Sequence, residues 1–167
     1  MIVLVGGLPG SGKTYFAKKL AGETDAILFS SDKVRKFLGA SGTYNIEDKL
    51  HVYKELASVA ESELINSKKR VVIDATFSHQ SMRLLFTELA TRLSVPLYFI
   101  WIYASEKVIR ERTQMPREDS EADFEVYKKI RDQFEQITIP CLMLESTDNN
   151  IEVMLKKAED YMFHERK

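Results

Sequence analysis

GLPGSGKT, residues 7–14, follows the apolar run MIVLV (1–5) and precedes YFAKKLA (15–21), which has a helical pattern. It satisfies G-x-x-x-x-G-K-[ST] at every fixed position and lies between a strand and a helix, the context a phosphate-binding loop (P-loop, Walker A) requires. Gly7 and Gly12 let the backbone turn tightly, so that successive N–H groups face an anion. The loop also delivers a helix N-terminus, with its partial positive charge, to the phosphates. The expected nucleotide contacts are Gly7, Leu8, Pro9, Gly10, Ser11, Gly12, Lys13, Thr14 and Tyr15. Lys13 is expected to bridge the β- and γ-phosphates of ATP, and the Thr14 hydroxyl to ligate Mg²⁺. Kinases, GTPases, ATPase motors and switches all share this motif, so the fate of the nucleotide has to be read elsewhere in the chain.

Outward from the loop, four more apolar runs alternate with helical patterns: AILF (26–29), VVID (71–74), PLYFIWIY (96–103) and CLMLE (141–145). Each is apolar almost throughout, as strands buried on both faces of a parallel sheet are. IEDKLHVYKELASVAESELINS carries Leu50, Tyr53, Leu56, Ala57, Ala60 and Leu64 on one stripe, and SMRLLFTELATRL carries Leu85, Leu89 and Leu93. Strands alternating with helices predict a three-layer α/β fold, a five-stranded parallel sheet flanked by helices with right-handed crossovers. Pro116 is expected to stop one helix, and Ser120 with Asp123 to start the next as a capping box.

The chain has 167 residues, 44% of them hydrophobic, which suits one globular domain spanning 1–167. A formal net charge of -1 announces no nucleic-acid or membrane-surface partner. The single cysteine, Cys141, excludes a disulfide within the chain and reads as a small buried hydrophobe. MIVLV lacks the charged n-region of a secretory signal, and no apolar run approaches the ~20 residues needed to span a bilayer. The expectation is a cytoplasmic protein. His51, His79 and His164 fall outside any metal-ligand spacing, and Trp101 reads as core.

The stretch ILFSSDKVR, 27–35, decides what meets the nucleotide. Ligands of an open parallel sheet gather at the carboxyl ends of its strands, and Asp32 lies just past the end of the second. Arg35 follows at i+3, on nearly the same helical face. From the residues alone, Asp32 is either a general base for an attacking hydroxyl, held by its cationic neighbour, or with Ser31 an ordinary N-cap of KVRKFLG. Asp74, at the end of the third strand, is similarly either a carboxylate serving Mg²⁺ or a cap on the turn towards Ser81.

GLPGSGKT, SSDKVRKFLG, VVIDATF and the Arg-rich segment leading into SEAD together resemble the P-loop kinases related to the 5′-kinase domain of polynucleotide kinases. That group includes chloramphenicol phosphotransferase and the zeta toxins. The resemblance implies a nucleoside monophosphate kinase-like fold, an acceptor-side helical region at about 36–66 and a lid at about 110–120. It implies that Asp32 is the general base and that Arg35 contacts the acceptor. It also implies a lid arginine over the transferring phosphates, with Arg112 and Arg117 preferred and Arg110 behind them. Ser146 and Thr147, after the last strand, are expected near the nucleotide base, although Thr147 or Asp148 could equally cap the final helix.

The function expected is therefore transfer of the γ-phosphoryl group of ATP, with Mg²⁺, to an alcohol hydroxyl. A small acceptor, such as a sugar, nucleoside or antibiotic-like molecule, suits the net charge better than a 5′-hydroxyl nucleic-acid end. The competing class is a nucleotide-binding ATPase or switch. Neither YASEK nor ESTDN supplies the base-reading N-K-x-D of a GTPase, and DAT stands where an ATPase carries an acidic pair.

Overall fold

In the computed structural model, which describes residues 1–39, 46–67, 69–114 and 124–164, five parallel strands form one sheet. They are β1 (Ile2–Gly6), β2 (Ile27–Ser30), β3 (Val71–Asp74), β4 (Leu97–Tyr103) and β5 (Leu142–Glu145), in the order β2-β3-β1-β4-β5. The helices are α1 (Lys13–Glu23), α2 (Ser31–Phe37), α3 (Ile46–Asn66), α4 (Gln80–Arg92), α5 (Glu106–Thr113), α6 (Phe124–Asp132) and α7 (Ile151–Phe163). The predicted strands are found within a residue of their expected bounds, and the fold is the three-layer α/β sandwich expected.

Side chains alternate across a strand, so each strand feeds both faces of the sheet. Ile2, Leu4, Ile73, Phe99 and Trp101 point to one face, where α3 covers them with Val52, Tyr53, Leu56 and Ala60, and α4 with Met82, Phe86 and Leu89. Val3, Val5, Val72, Ile100, Ile102 and Leu144 point to the other, covered by Phe16 and Leu20 of α1 and Met154, Leu155 and Ala158 of α7. β1 and β3 are buried along their whole length, as the apolar runs predict. β2 and β5 form the sheet edges and stay partly open, Met143 of β5 being exposed.

On α3 the predicted stripe is the buried one, with Val52 added and Leu50 and Ala57 at its margin. On α4 the buried face is Met82, Arg83, Phe86, Leu89 and Ala90, while Leu85 and Leu93 are its flanks. Arg83 is an exception to the rule that charges stay out. Its side chain is 1% exposed, and its guanidinium donates to the carbonyls of Phe77 at 2.8 Å, Gln136 at 2.7 Å and Glu135 at 3.2 Å. Phe77 has φ 53, a left-handed conformation that costs a bulky side chain about 1–2 kcal/mol. Its N–H donates to the Tyr53 hydroxyl at 2.8 Å, so helices α3 and α4 hold this turn from both ends. The Glu135 carboxylate accepts the N–H of Gln80 and lies 3.0 Å from His79 Nδ1, capping α4 from a distant segment. Arg83→Met strands these carbonyls in the interior, and we expect it to cost about 2–4 kcal/mol, read as a lowered denaturant midpoint at unchanged slope.

Among the described residues no helix is long and apolar enough to cross a membrane. Cys141 is half-buried, and burial pushes its thiol up to about 11, away from nucleophilic use. Trp101 packs on Phe134 at 4.7 Å between ring centres, within the core.

Candidate active site

β1 passes into the loop at residues 7–12 and then into α1. Gly12 is the N-cap of α1 with φ 91, and Gly10 has φ 83, so the left-handed turns fall at 10 and 12. Gly7 is needed for space. A Cβ there would lie 2.5 Å from both the Ile102 carbonyl oxygen and Ser11 Oγ. No side chain caps α1 and its first turn holds no acidic residue, which leaves its N-terminal N–H groups and positive pole to an anion. Ser11 Oγ is buried in the loop without a hydrogen-bond partner. Tyr15 is more than half exposed on the outer side of α1, with Lys19 over its ring.

Strand order separates the surroundings of the loop into two sides. On the β3 side, Val5, Asp74 and Ser30 stand in register across β1, β3 and β2, so all three strands end in one row. Asp74 is 2% exposed. Its carboxyl is pushed up chiefly by burial, while the Lys13 ammonium and a hydrogen bond with the Thr14 side chain pull the other way. Its Oδ1 is buried without a hydrogen-bond partner. The helix following β3 starts at Gln80 with His79 as N-cap, so Asp74 caps nothing.

Asp32 is the second residue of α2, whose N-cap is Ser30 with no side-chain capping bond. The expectation that Asp32 or Ser31 caps this helix is therefore corrected: both lie inside the first turn. Asp32 Oδ1 is instead 3.3 Å from Arg35 Nη1, in a half-buried pair. Asp32, Arg35 and Asp74 are all close enough for their charges to act on the Tyr53 phenol, which burial pushes up. Tyr53 itself bonds to the turn after β3, accepting from the Phe77 N–H. Sequence reasoning placed it only in the core, because its ring obeys the α3 stripe. Thr76, two residues past Asp74, is half-buried.

The β4–β5 side holds Arg112. Its Nη1 is 3.1 Å from Ser146 Oγ and 3.5 Å from the carbonyl oxygens of Gly10 and Ser11, and its Nη2 is 3.2 Å from Asp148 Oδ1. A Cβ on Gly12 would meet this group, at 2.7 Å from Ser146 Oγ and 3.3 Å from Arg112 Nη1. Arg110, two residues earlier, points elsewhere: it pairs with Glu106 at 3.4 Å and lies 4.1 Å from the centre of the Phe124 ring. Arg117, Ser120 and Asp123 lie outside the described residues. The N-cap of α7 is Asn150, so neither Thr147 nor Asp148 caps it; Asn150 Oδ1 accepts from the Thr147 N–H at 3.0 Å. His51 is exposed, His79 faces Glu135 and His164 faces Asp160.

Asp74→Asn tests the electrostatics of this row. A carboxyl raised by burial binds its proton more tightly folded than unfolded, so stability falls as pH rises above the ordinary carboxyl range. Without nucleotide or Mg²⁺, the Asn variant should therefore unfold at a higher temperature than the parent at pH 7, and the gap should close as pH falls towards about 4. Thermal scans across pH read this directly.

A P-loop between a parallel strand and a helix, with carboxylates at the neighbouring strand ends, defines an α/β P-loop protein. The family model described as AAA domain matches residues 2–137, and the chain belongs to that family. No curated protein matches the sequence significantly. Among solved structures, a sugar kinase from Janibacter sp. HTCC2649 is similar with a TM-score of 0.75 at 18% identity, over 96% of this chain and 93% of its own. The APS kinase CysC of Mycobacterium tuberculosis, solved with AMPPNP and APS, gives 0.73 at 18% identity over 96% of each chain. A gluconokinase from Sinorhizobium meliloti 1021 gives 0.69 at 15% identity, over 99% and 97%. At such identities the likeness is one of fold.

Proposed function

We propose that the protein is an ATP-dependent kinase, acting as one domain over 1–167, that transfers the γ-phosphoryl group to a hydroxyl of a small acceptor. The observation that carries this is the Asp32–Arg35 pair. It stands on the carboxyl rim beside the P-loop and takes no part in capping, and the spacing Asp32-x-x-Arg35 resembles that of the polynucleotide kinase group. The kinase fold neighbours, among them a sugar kinase and a gluconokinase, support a small acceptor.

In this reading the two sides of the loop divide the work. The acceptor enters on the side of α2 and α3, within about 36–66. Its hydroxyl oxygen forms a bond to the γ-phosphorus as the bond to the ADP oxygen breaks, and Asp32 takes the hydroxyl proton. Arg35 orients that carboxylate and the acceptor. Lys13 and the N-terminal N–H groups of α1 stabilise the charge on the phosphate oxygens. Thr14 and the orphaned Asp74 Oδ1 fit a Mg²⁺ ion, which takes few protein ligands beside phosphate oxygens. When bound, that ion would neutralise charge on the β- and γ-phosphates. Arg112, with Ser146 and Thr147, lies on the nucleotide side, at the root of a lid at about 110–120.

The test uses γ-labelled ATP and Mg²⁺ with two acceptor pools, small hydroxyl compounds and 5′-hydroxyl oligonucleotides. Label in a small compound, lost in Asp32→Asn, is the expected result. Label in the oligonucleotide would replace the acceptor class. Free phosphate alone, equal in both proteins, would make the protein a nucleotide hydrolase or switch.

A further inference from the structure

The segment VVIDATF, 71–77, ends β3 and opens the turn that leads to α4. Asp74 is the last residue of the strand, and Ala75 adds one more bond, its N–H donating to the Val5 carbonyl at 3.2 Å. The chain then leaves the sheet at Thr76 and reverses at Phe77, whose φ of 53 is unfavourable for a bulky side chain. A residue keeps such a conformation only where its surroundings over-determine it, and strain of this kind gathers at functional sites.

Phe77 is held from three directions. Tyr53 Oη of α3 accepts its N–H at 2.8 Å, and Arg83 Nη1 of α4 donates to its carbonyl at 2.8 Å. Its ring is fully buried, edge-on to Tyr53, Phe86 and Phe99 at 5.3, 5.6 and 5.8 Å between centres. A phenylalanine at position 53 would keep the ring contact, and only the hydroxyl reaches the backbone. Among the described residues, the Phe77 N–H is the one hydrogen-bond partner of that hydroxyl. The hydroxyl therefore serves the turn, while the ring serves the core.

Three residues before this clamp stands Asp74. Its Oδ1 is buried without a hydrogen-bond partner, so that oxygen is aimed by the backbone that carries it rather than by a bond of its own. A turn that relaxed at Phe77 would shift the end of β3, and the carboxylate with it.

We propose that Tyr53 is a positioning residue of the kinase: with Arg83 it locks Phe77, and the locked turn holds Asp74 in place to take Mg²⁺ together with Thr14. This rests on the kinase assignment and adds to that site a residue that touches neither substrate nor ion.

The first test is Tyr53→Phe in the full chain, with Leu64→Ala as control. Leu64 lies on the same buried stripe about three turns along α3, so its truncation weakens the helix without reaching the turn. AMPPNP binding is measured by calorimetry across a Mg²⁺ titration and again in EDTA. Tyr53→Phe should raise the Mg²⁺ concentration for half-maximal effect about tenfold, with affinity in EDTA within about twofold of the parent. Leu64→Ala should lower the unfolding temperature at least as much and leave the Mg²⁺ dependence unchanged. An unchanged Mg²⁺ dependence in Tyr53→Phe, a loss equal in EDTA and in Mg²⁺, or the same shift in Leu64→Ala would overturn the proposal and leave the kinase assignment standing.

The second test needs no variant. Coupling between two sites is reciprocal, so Mg²⁺ must favour the locked turn as much as the locked turn favours Mg²⁺. Hydrogen exchange of the Phe77 amide should slow about fivefold or more with AMPPNP and Mg²⁺ relative to AMPPNP in EDTA. Equal exchange in the two conditions would overturn the positioning role. In transfer from γ-labelled ATP, Tyr53→Phe should lose about tenfold in kcat at limiting Mg²⁺ and recover as Mg²⁺ is raised. Should the parent transfer to no hydroxyl, the kinase assignment falls, and the binding and exchange measurements still decide what Tyr53 does.

Discussion

Asp32→Asn is expected to lower kcat by about 10²–10⁴-fold while leaving the affinity for ATP within about twofold of the parent. The split follows from position. Asp32 lies on the β2 side of the loop, two residues past the strand end, which in the proposed reading is the side of the acceptor hydroxyl and not of the nucleotide. An amide has nearly the shape of the carboxylate but cannot take the proton, so chemistry fails while binding persists. Because Ser30 is the N-cap, the fold does not depend on Asp32 as a cap, and the variant should unfold within about 1 kcal/mol of the parent. Arg35 would keep an acceptor for its guanidinium in the Asn side-chain oxygen. Single-turnover transfer, equilibrium binding of an ATP analogue and a thermal scan together read all three quantities. A variant that turns over normally would remove Asp32 from the chemistry.

Lys13→Ala should damage both binding and transfer, lowering kcat/KM for ATP by more than about 10³-fold. Lys13 opens α1 immediately after the Gly12 turn, where the helix pole and the loop N–H groups already converge on an anion. Its charge is felt by the buried Asp74, the carboxylate at the end of the neighbouring strand. Removing it withdraws attraction from ground-state phosphates and also from the charge that spreads over them during transfer, so KM rises and kcat falls together. It also leaves Asp74 with less compensation for burial. Unlike Asp32→Asn, this variant should lose ATP-analogue affinity in calorimetry. Retained affinity with lost transfer would mean that the loop amides alone hold the nucleotide.

Much of this was legible before any coordinate. The P-loop is largely a local device: its left-handed turns and a lysine at the head of a helix need only neighbours in sequence, although the space that Gly7 leaves is also set by the distant Ile102 carbonyl. The strands were legible because burial on both faces leaves an apolar run, and VVID was found at its expected bounds. Arg83 left one local signal, a charge on the apolar stripe of α4, but its three carbonyl partners are set by how distant segments pack.

The sequence by itself determined the phosphate loop, the alternation of strands and helices, and the candidacy of Asp32, Arg35 and Asp74, since each depends on spacing along one element. Only the tertiary structure decided the order β2-β3-β1-β4-β5, and with it which groups share a side of the loop. It put Arg112 on the loop carbonyls and Arg110 on Phe124, because residues two apart on a helix face different ways. Contacts between groups far apart in the chain are chosen by the packing of whole faces, and no local pattern carries them.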